Sequence, residues 1–557
     1  MPRFPIAMPT GHFMGLAPLD VWARLLVACR GRIGPRYWLR LISALATSLL
    51  ATLITLPERL LLWPLLRVRF RGREPVFVPR RDAVVIVGYF RSGTTHLHNL
   101  LATHPDVVTP RWVQAMSPQG FWASWSFLRL ALVPFLPNTR PQDDVAFGPD
   151  WPAEDDFAHN NWALASTLPG RLVLPQERRA WARFANLDGL TARELARWRR
   201  AAAAFAWKVS AASRGRKHLV LKSPTHTGKV RELDRLFDGN VRFVHLARAA
   251  EDVVRSNVAM HARLEGQALQ RLPSEEETRE AVIAEYVEAE ERFLADADWL
   301  ERHRLEAGAT GIGATGIGGT GFQPVRVRYT ELVSQPLDEL ARICEAVGLR
   351  WDDQVRTRAA TYLDAVGDYT PRQHTERGAA PDPRLAALDA AFLHDPAADE
   401  HPRAAPCNDT RHHAHGSESR GTPLRAKAES RRVMGVLAVW IAAALGLGLW
   451  LLLAHFTHRR LDVLAWPLGG AVGAVAFRVV GRGDWKLGLW AAAGALALVA
   501  GSVWPLPEVA HGWGGTARYA NLRTTYGSFN NNYLYPLFGM LTAYRYASRR
   551  FARPPGM

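Results

Sequence analysis

Cysteine is scarce in this chain: only Cys29, Cys344 and Cys407 occur among 557 residues, and they show no paired spacing. A disulfide-bonded scaffold is therefore not expected, and a reducing compartment is. The first residues, MPRFPIAMPTGHF, lack the charged start, short apolar run and small-residue cleavage site of a secretory signal. Zinc-finger spacing, an RNP-like strand and a long basic helix are missing too, so the sequence predicts no nucleic-acid partner.

Positive charge is abundant, since 69 Lys and Arg against 52 Asp and Glu leave a formal charge of +17. Such an excess suits anionic small molecules or the anionic cytoplasmic face of a membrane. A length of 557 residues with 48% hydrophobic content predicts two or more domains. The predicted parts are an N-terminal helical region 1–79, an α/β domain 80–390, a linker 391–432, and a transmembrane bundle of three or four helices at 433–557.

Short apolar runs alternate with helical patterns through the second of these parts. AVVIVGYF, LVLKSP and VRFVHLAR read as strands, and VRVRYTELV as a late strand that enters the helix PLDELARICEAVGL. Buried strands that alternate with helices are typical of an α/β fold with a parallel, doubly wound sheet. Residues 274–304 predict a long helix with Ser274 as its N-cap. The Gly/Thr repeat at 308–325 cannot pack a core and predicts an inserted surface loop.

Uncharged runs near both ends of the chain predict membrane contact. Residues 41–57 are short for a span, so they are either seated in a membrane or packed on the α/β domain, and PERLLLWPLL after them resembles an interfacial helix. Residues 433–456 are free of charge and long enough to span a bilayer. Further candidate spans are 463–480, 487–506 and 531–545.

Arginine residues at the two ends of the C-terminal bundle predict its orientation. They cluster at 431–432 and 549–553, so the positive-inside rule places both ends in the cytoplasm, although the pair at 459–460 argues against this. The expected location is a multi-pass membrane protein with a cytoplasmic catalytic domain. The linker segment CNDTRHHAH at 407–415 matches no familiar zinc site and predicts a solvated linker.

The segment AVVIVGYFRSGTTHL at 83–97 joins a strand to a helix through a glycine-bracketed loop. Gly88 and Gly93 enclose four residues as in G-x-x-x-x-G-K-[ST], but Thr94 stands where nucleotide triphosphatases carry a lysine for the β/γ-phosphates. No apolar strand ends in a clear Walker B aspartate either. Loop N–H groups, the helix N-terminus and hydroxyl side chains can still hold one phosphate, so the loop predicts a phosphate ligand without a metal-bound triphosphate.

The pattern G-x-x-R-S-G-T-T-x-L, followed by L-L-x-x-H-P, resembles the 5′-phosphosulfate-binding loop of the sulfotransferase family. These enzymes use 3′-phosphoadenosine 5′-phosphosulfate as donor, with no metal. VRFVHLARAAEDVVRS is similar to the family's second motif, in which a strand-end arginine and a serine eight residues later hold the donor's 3′-phosphate. The donor-binding residues that the resemblance implies are Arg91, Ser92, Gly93, Thr94, Thr95, Arg248 and Ser256.

Two further segments are similar to a bacterial branch of the family that includes carbohydrate- and protein-sulfating enzymes. LVLKSPTH at 219–226 resembles its L-K-[SD]-P strand end, and RPQDDVAFGPDWPAEDDFA at 140–158 resembles its acidic segment. The chain departs from the family at 247–250, where Ala-Arg-Ala-Ala replaces the usual H-R-D-P. The arginine is kept and the turn-stabilising Asp-Pro is lost, which leaves the start of the next helix in doubt.

Sulfuryl transfer requires cations near the leaving phosphate oxygen and a base for the acceptor's proton. Arg91 and Lys222 are the predicted catalytic cations, because Arg91 lies in the loop and Lys222 follows an apolar strand. His226, Glu154 and Asp155 are all candidates for the base, and the sequence leaves the choice open. No metal ligand is predicted.

The predicted function is transfer of a sulfuryl group from 3′-phosphoadenosine 5′-phosphosulfate to a hydroxyl or amine of a carbohydrate, lipid or protein. A phosphate-loop kinase or NTPase is the first alternative, and the missing loop lysine disfavours it. The second is a non-catalytic nucleotide-binding domain that serves the membrane bundle. Retention of Arg91, Lys222, Arg248 and Ser256 together disfavours that alternative.

Overall fold

The computed structural model describes residues 11–72, 74–124, 148–309, 324–366 and 382–393, then 436–447, 485–503 and a few isolated positions between 449 and 544. The five strands are β1 (Ala83–Val87), β2 (Val107–Val108), β3 (His218–Lys222), β4 (Val241–Ala247) and β5 (Val325–Arg328). The N-terminal helices are α1 (Leu19–Ala28), α2 (Trp38–Arg69), α3 (Thr94–Leu101) and α4 (Trp112–Met116). The central helices are α5 (Asp156–Ala163), α6 (Arg178–Ala182), α7 (Ala192–Ala211), α8 (Val230–Leu236), α9 (Ala250–Arg263) and α10 (Glu275–Ala309). The last are α11 (Tyr329–Ser334), α12 (Pro336–Ala346), α13 (Asp353–Val366), α14 (Pro383–Leu393) and α15 (Trp485–Val503).

Short 3₁₀ turns and one π-helical turn complete the described secondary structure. The 3₁₀ segments are Phe13–Leu16, Pro35–Tyr37, Pro175–Glu177, Pro224–Lys229 and Leu264–Gln267. The π-helical turn is Pro169–Val173. Several of these segments begin with proline, which fixes φ near the helical value and has no N–H to leave unpaired in a first turn.

The five strands form one parallel sheet in the order β2–β3–β1–β4–β5. Alternate residues of β1 enter two separate apolar cores, Val85 and Val87 on one face and Val84 and Ile86 on the other. All four side chains are fully buried, as expected for a parallel sheet with helices on both faces. The predicted α/β sheet flanked by helices is therefore confirmed.

The long helix α10 begins where the sequence predicted. The Ser274 hydroxyl accepts a hydrogen bond from the Glu277 N–H at 3.1 Å, and the Glu277 carboxylate accepts one from the Ser274 N–H at 2.7 Å. This reciprocal pair is a capping box, which satisfies two backbone donors at the helix start. The helix then runs across the α/β domain and buries Tyr286 and Phe293 in its core.

The two apolar N-terminal segments form one helix, α2, which has 32 residues. In the described part of the chain, the stretch Pro35–Arg69 is the one helix long and apolar enough to cross a membrane by length and composition. It packs beside the first 3₁₀ segment and α1, with 28% of its most apolar window buried. One face of α2 is therefore packed on the folded domain.

Only fragments of the predicted transmembrane bundle lie within the described residues. Val436–Leu447 is helical, as is α15, and Val439 and Ala443 lie in one apolar cluster with Ala491 of α15. The complete bundle remains a prediction. Most of the predicted loop 308–325 and of the linker 391–432 lies outside the described residues.

Candidate active site

The glycine-bracketed loop connects β1 to α3, as the sequence predicted. Gly88 (φ 131°) and Gly93 (φ 104°) both have the left-handed backbone that favours glycine. A Cβ atom on Gly88 would lie 2.5 Å from the carbonyl oxygen of Leu246, and one on Gly93 would lie 2.5 Å from Cδ2 of Tyr329. The loop is therefore held closely against β4 and α11, where only glycine fits.

One hydrogen bond to the 3₁₀ segment after β3 and one within the loop hold the loop in shape. The Gly88 N–H donates to Oγ1 of Thr227 at 2.9 Å, and the Ser92 hydroxyl donates to the Tyr89 carbonyl at 2.8 Å. Arg91 has a positive φ of 72°, which is uncommon for a residue with a Cβ atom. Helix α3 begins directly after the loop, so its first-turn N–H groups and its dipole face the space that an anion would occupy.

The two predicted donor-binding motifs meet in the structure. Nε of Arg91, in the loop, donates to the Ser256 hydroxyl of α9 at 3.0 Å. Arg248, at the end of β4, donates through Nη1 to the Arg91 carbonyl at 3.2 Å. β4 pairs with β1, and this pairing brings the end of one strand beside the loop that follows the other. Arg91, Arg248 and Ser256 therefore form one contiguous group.

The Arg248 guanidinium has one buried N–H group that no protein acceptor meets among the described residues. It lies 4.6 Å from the ring centroid of Tyr329 and 3.5 Å from the Asp252 carboxylate. Its Nε atom is buried and has no hydrogen-bond partner among the described residues. A buried guanidinium N–H without an acceptor is costly unless a ligand supplies one, and a phosphate oxygen is the acceptor that arginine prefers.

Lys222 is the last residue of β3, and its ammonium group faces the same edge of the sheet. Nζ lies 2.6 Å from Oε1 of Glu154 and donates to Oγ1 of Thr95 at 3.2 Å. The lysine side chain is 2% exposed and the glutamate 19% exposed. The structure thus brings a loop hydroxyl, a buried cation and a partly accessible carboxylate together, and all three were predicted site residues.

The other two candidate bases, His226 and Asp155, form a pair in the interior. Nε2 of His226 lies 2.8 Å from Oδ2 of Asp155, and Ser223 donates to the second carboxylate oxygen at 2.8 Å. Burial alone raises the pKa of Asp155, but His226 and the nearby His159 outweigh it and hold that pKa below its usual range. Both paired side chains are almost completely buried. Because Asp155 directly follows Glu154, this pair fixes the glutamate beside β3.

Sequence reasoning missed a group of charged residues under the loop. Arg171 lies 4.0 Å above the Phe90 ring and donates to the Tyr89 hydroxyl at 3.1 Å and to the Glu285 carboxylate. Arg178 donates to the same carboxylate at 2.5 Å. Loop positions 89 and 90 are therefore anchored to α10. No spacing signal could have found these contacts, because the partners lie far apart in the chain and meet only after folding.

The start of α9 answers the question that the altered 247–250 stretch raised. The helix begins at Ala250, and its N-cap residue Ala249 has no side chain that can cap. The Ala250 N–H instead donates to Oδ1 of Asp389 in α14 at 2.9 Å. A carboxylate from another helix therefore replaces the missing local aspartate and interacts favourably with the helix dipole.

Across the described ranges, no group of three or more His, Cys, Asp or Glu side chains is arranged to hold a metal ion. The histidine-rich segment 407–415 lies outside those ranges.

The chain is similar in sequence to known sulfotransferases. The profile of the sulfotransferase family matches residues 83–353. Over 355 residues the chain is 24% identical to the omega-hydroxy-beta-dihydromenaquinone-9 sulfotransferase Stf3 of Mycobacterium bovis, and equally to that of Mycobacterium tuberculosis. The match covers 63% of this chain and 82% of either relative.

Two solved structures are similar at lower identity. The sulfotransferase STF1 of Mycobacterium tuberculosis has a TM-score of 0.43 and 16% identity, covering 68% of this chain and 92% of that one. The sulfotransferase STF9 of Mycobacterium avium has a TM-score of 0.40 and 16% identity, covering 65% and 86%.

Proposed function

Since residues 83–353 belong to the sulfotransferase family, as the two motifs predicted, we propose that this enzyme uses 3′-phosphoadenosine 5′-phosphosulfate as its donor. The observation that carries the proposal is the contact of Arg91 with both Ser256 and Arg248. It joins a loop suited to one phosphate with a second phosphate-binding group. A donor with phosphates at its 5′ and 3′ positions needs both.

The two halves of the site take different ends of the donor. Arg248 and Ser256 bind the 3′-phosphate, supported by the buried, unpartnered Nε of the arginine. The loop from Arg91 to Thr95 and the start of α3 bind the 5′-phosphosulfate. Lys222 donates to Thr95, which places its charge beside the loop.

The transfer is an in-line displacement at sulfur. An acceptor oxygen forms a bond to sulfur while the bond between sulfur and the bridging phosphate oxygen breaks. The products are a sulfate ester, 3′,5′-bisphosphoadenosine and one proton. Arg91 and Lys222 stabilise the negative charge that builds on the leaving phosphate oxygen.

Glu154 accepts the proton of the acceptor hydroxyl. It is the partly exposed carboxylate among the three candidates, and it lies directly on Lys222. His226 and Asp155 are buried against each other, so we assign them to holding Glu154 in place. Loss of the acceptor's proton to Glu154 and loss of the leaving group beside Lys222 then occur at neighbouring side chains.

The acceptor is the hydroxyl group of a lipid. The relative that matches over most of its length is named for a hydroxylated menaquinone, and the described part of this chain carries one long apolar helix. Carbohydrate and protein acceptors remain the competing classes. Incubation with ³⁵S-labelled donor and a membrane extract, followed by organic extraction, should place the label in the lipid phase; label only in the aqueous phase would contradict a lipid acceptor.

The C-terminal region 433–557 anchors the enzyme as a multi-pass bundle with the catalytic domain in the cytoplasm, where the donor is made. Close packing of its described helices supports this, since a Cβ on Gly494 would lie 2.5 Å from Cγ1 of Val439. Small residues at such contacts are typical of membrane helices. Reporter fusions at 459–460 and after 553 check the topology, and an external C-terminus would contradict it.

Donor binding tests the proposal directly. Full-length protein in detergent should bind 3′,5′-bisphosphoadenosine more tightly than ATP with magnesium, because the loop lacks the lysine for a triphosphate. Arg248→Ala should weaken the bisphosphate by about 1.5–3 kcal/mol, the usual value for a hydrogen bond to a charged group. Adenosine 5′-phosphosulfate, which has no 3′-phosphate, is the control ligand and should bind both proteins equally.

A preference for ATP with magnesium would instead support the kinase or NTPase alternative. Equal losses of the control ligand and the bisphosphate in Arg248→Ala would show that Arg248 does not bind the 3′-phosphate. Calorimetry measures all five affinities, three for the wild-type protein and two for Arg248→Ala.

A further inference from the structure

Helix α2 buries a polar side and exposes an apolar side, which is the reverse of a typical helix on the surface of a water-soluble domain. Its buried residues recur every three or four positions and so form one stripe, and they are Arg40, Ala44, Ser48, Ala51, Thr55 and Glu58. Every one of them is polar or is alanine. The helix therefore packs on the enzyme through its least apolar side, whereas a helix of a water-soluble protein normally buries its apolar side.

The N-terminal half of this stripe is fixed by hydrogen bonds to distant backbone. The Arg40 guanidinium donates to the carbonyl oxygens of Glu265 at 2.8 Å and Ala268 at 2.5 Å. Ser48 donates through Oγ to the Ala17 carbonyl at 2.6 Å. Both side chains are buried, so these bonds are shielded from water and tie α2 to two separate parts of the domain.

Glu58 fixes the C-terminal half. Its carboxylate accepts hydrogen bonds from the consecutive N–H groups of Trp122, Ala123 and Ser124 at 2.8–2.9 Å. The buried ammonium group of Lys208 lies 3.6 Å away. From Arg40 to Glu58 the helix is thus attached over about 27 Å of its axis.

The opposite side of α2 presents large apolar side chains to the surroundings. Exposed fractions of 59–78% occur at Ile42, Leu53, Leu60, Leu61, Trp63 and Val68. A continuous apolar face of this size is rare on a water-soluble monomer and marks a surface that contacts something apolar.

The residues at the two ends of this apolar face indicate what kind of surroundings contact it. Arg67 lies 5.0 Å above the Trp63 ring, and Arg67 and Arg69 are exposed beyond it. Trp38 begins the helix at the other end and is exposed as well. Tryptophan at each end and arginine beside it match the level of lipid headgroups, where the indole sits at the interface and the guanidinium meets the phosphate.

We propose that α2 lies flat in the surface of a phospholipid bilayer, with its Leu- and Trp-rich face among the upper acyl chains and its polar stripe on the enzyme. It does not span the membrane, although its length and composition would allow that. A spanning α2 would have to release the bonds of Arg40, Ser48 and Glu58 or pull the domain into the lipid, and either is costly. This inference depends on the α2 contacts alone and holds whatever the donor and acceptor are.

Depth measurements on the full chain in proteoliposomes test the proposal. In a Cys407→Ser background, a fluorophore is placed at Ile42→Cys, Leu49→Cys or Leu60→Cys, three exposed positions on one line of the helix. Lipids brominated at different acyl positions then report the depth of each label. A helix in the plane predicts the same shallow depth, about 5–10 Å below the headgroups, at all three positions. Glu276→Cys, on exposed α10, is the control and should not be quenched.

Other occupants of the face give different results. A spanning helix places the label at position 49 near the bilayer centre and those at 42 and 60 near opposite surfaces, since the latter two are about 27 Å apart. That pattern would overturn the proposal. Absence of quenching at all three positions would also overturn it, because the face would then be covered by protein, such as the C-terminal helices or a second copy.

Discussion

Glu154 and Lys222 form an ion pair, in which each side chain affects the charge and orientation of the other. The 2.6 Å contact keeps the lysine charge near the loop and orients the carboxylate beside it. In the proposed mechanism, an acceptor hydroxyl gives its proton to Glu154, and the negative charge there disappears. The full positive charge of Lys222 would then act on the leaving phosphate, so under this proposal proton removal and leaving-group stabilisation support each other.

Replacement of Glu154 by glutamine separates this role from donor binding. Glu154→Gln should lower kcat by about 10²–10⁴-fold, the usual contribution of a positioned base. Affinity for 3′,5′-bisphosphoadenosine should stay equal or increase, because Lys222 loses its neutralising partner. Steady-state kinetics and calorimetry measure the two effects. Glu276→Gln, the same change on the exposed start of α10, should alter neither; an unchanged kcat in Glu154→Gln would remove this residue from the mechanism.

At the scale of elements, the loop between β1 and α3 is positioned by contacts with other elements as well as by its own hydrogen bonds. Gly93 lies against the Tyr329 ring, and that ring in turn lies beside the Arg248 guanidinium. Asn257 of α9 donates to the Phe90 carbonyl at 2.7 Å. The end of β4, the start of α11 and α9 therefore position the loop together, so a change in loop backbone should affect both proposed phosphate sites.

Gly93→Ala tests this coupling. The left-handed φ of 104° costs an L-residue roughly 1–2 kcal/mol, and the new Cβ must also displace the Tyr329 ring. We expect a lower free energy of unfolding together with weaker binding of 3′,5′-bisphosphoadenosine. Gly348→Ala is the matched control, since Gly348 has φ 74° and no atom within 4 Å of its Cβ position. Gly348→Ala should lower the free energy of unfolding only by the cost of the left-handed backbone. Equal bisphosphate affinity in Gly93→Ala and Gly348→Ala would show that the Tyr329 contact does not matter.

At the scale of the whole molecule, the partly buried Glu285 network joins the loop to the longest described helix of the domain. Glu285 accepts hydrogen bonds from Arg178 at 2.5 Å, from Tyr89 at 3.3 Å, and from Arg171. Burial alone raises the pKa of its carboxyl group, but the two arginines outweigh that effect and lower the pKa to about 2. The ionised carboxylate thus contributes to the stability of the folded domain.

Acid stability should reveal this contribution. The pKa falls from 4.5 to about 2 on folding, so the stabilisation is complete above pH 4.5 and is lost as the pH drops towards 2. Its size is on the order of 3 kcal/mol. Glu285→Gln should be less stable at neutral pH and should lose this part of the pH dependence, as measured by urea unfolding followed by tryptophan fluorescence. Glu291→Gln, on the exposed side of α10, should keep the wild-type dependence; the same retention in Glu285→Gln would contradict the assignment.

The sequence by itself determined the features that depend on residues close together in the chain. The strand, loop and helix of 83–97 and the spacing from Arg248 to Ser256 each lie within one local unit, whose geometry follows from strand and helix periodicity. The Ser274 cap of α10 was predictable for the same reason. The family resemblance rests on these local patterns, which is why it was visible before folding was considered.

Only the tertiary structure decided which distant residues meet. Glu154 reaches Lys222 across 68 positions, Asp389 caps α9 across 139, and Tyr89 meets Arg171 across 82. The orientation of α2 belongs here too, because a stripe of Arg, Ser and Glu among leucines shows its packed side only once Arg40, Ser48 and Glu58 find their partners. Such contacts depend on how whole elements pack, and the spacing of side chains along the chain does not predict that packing.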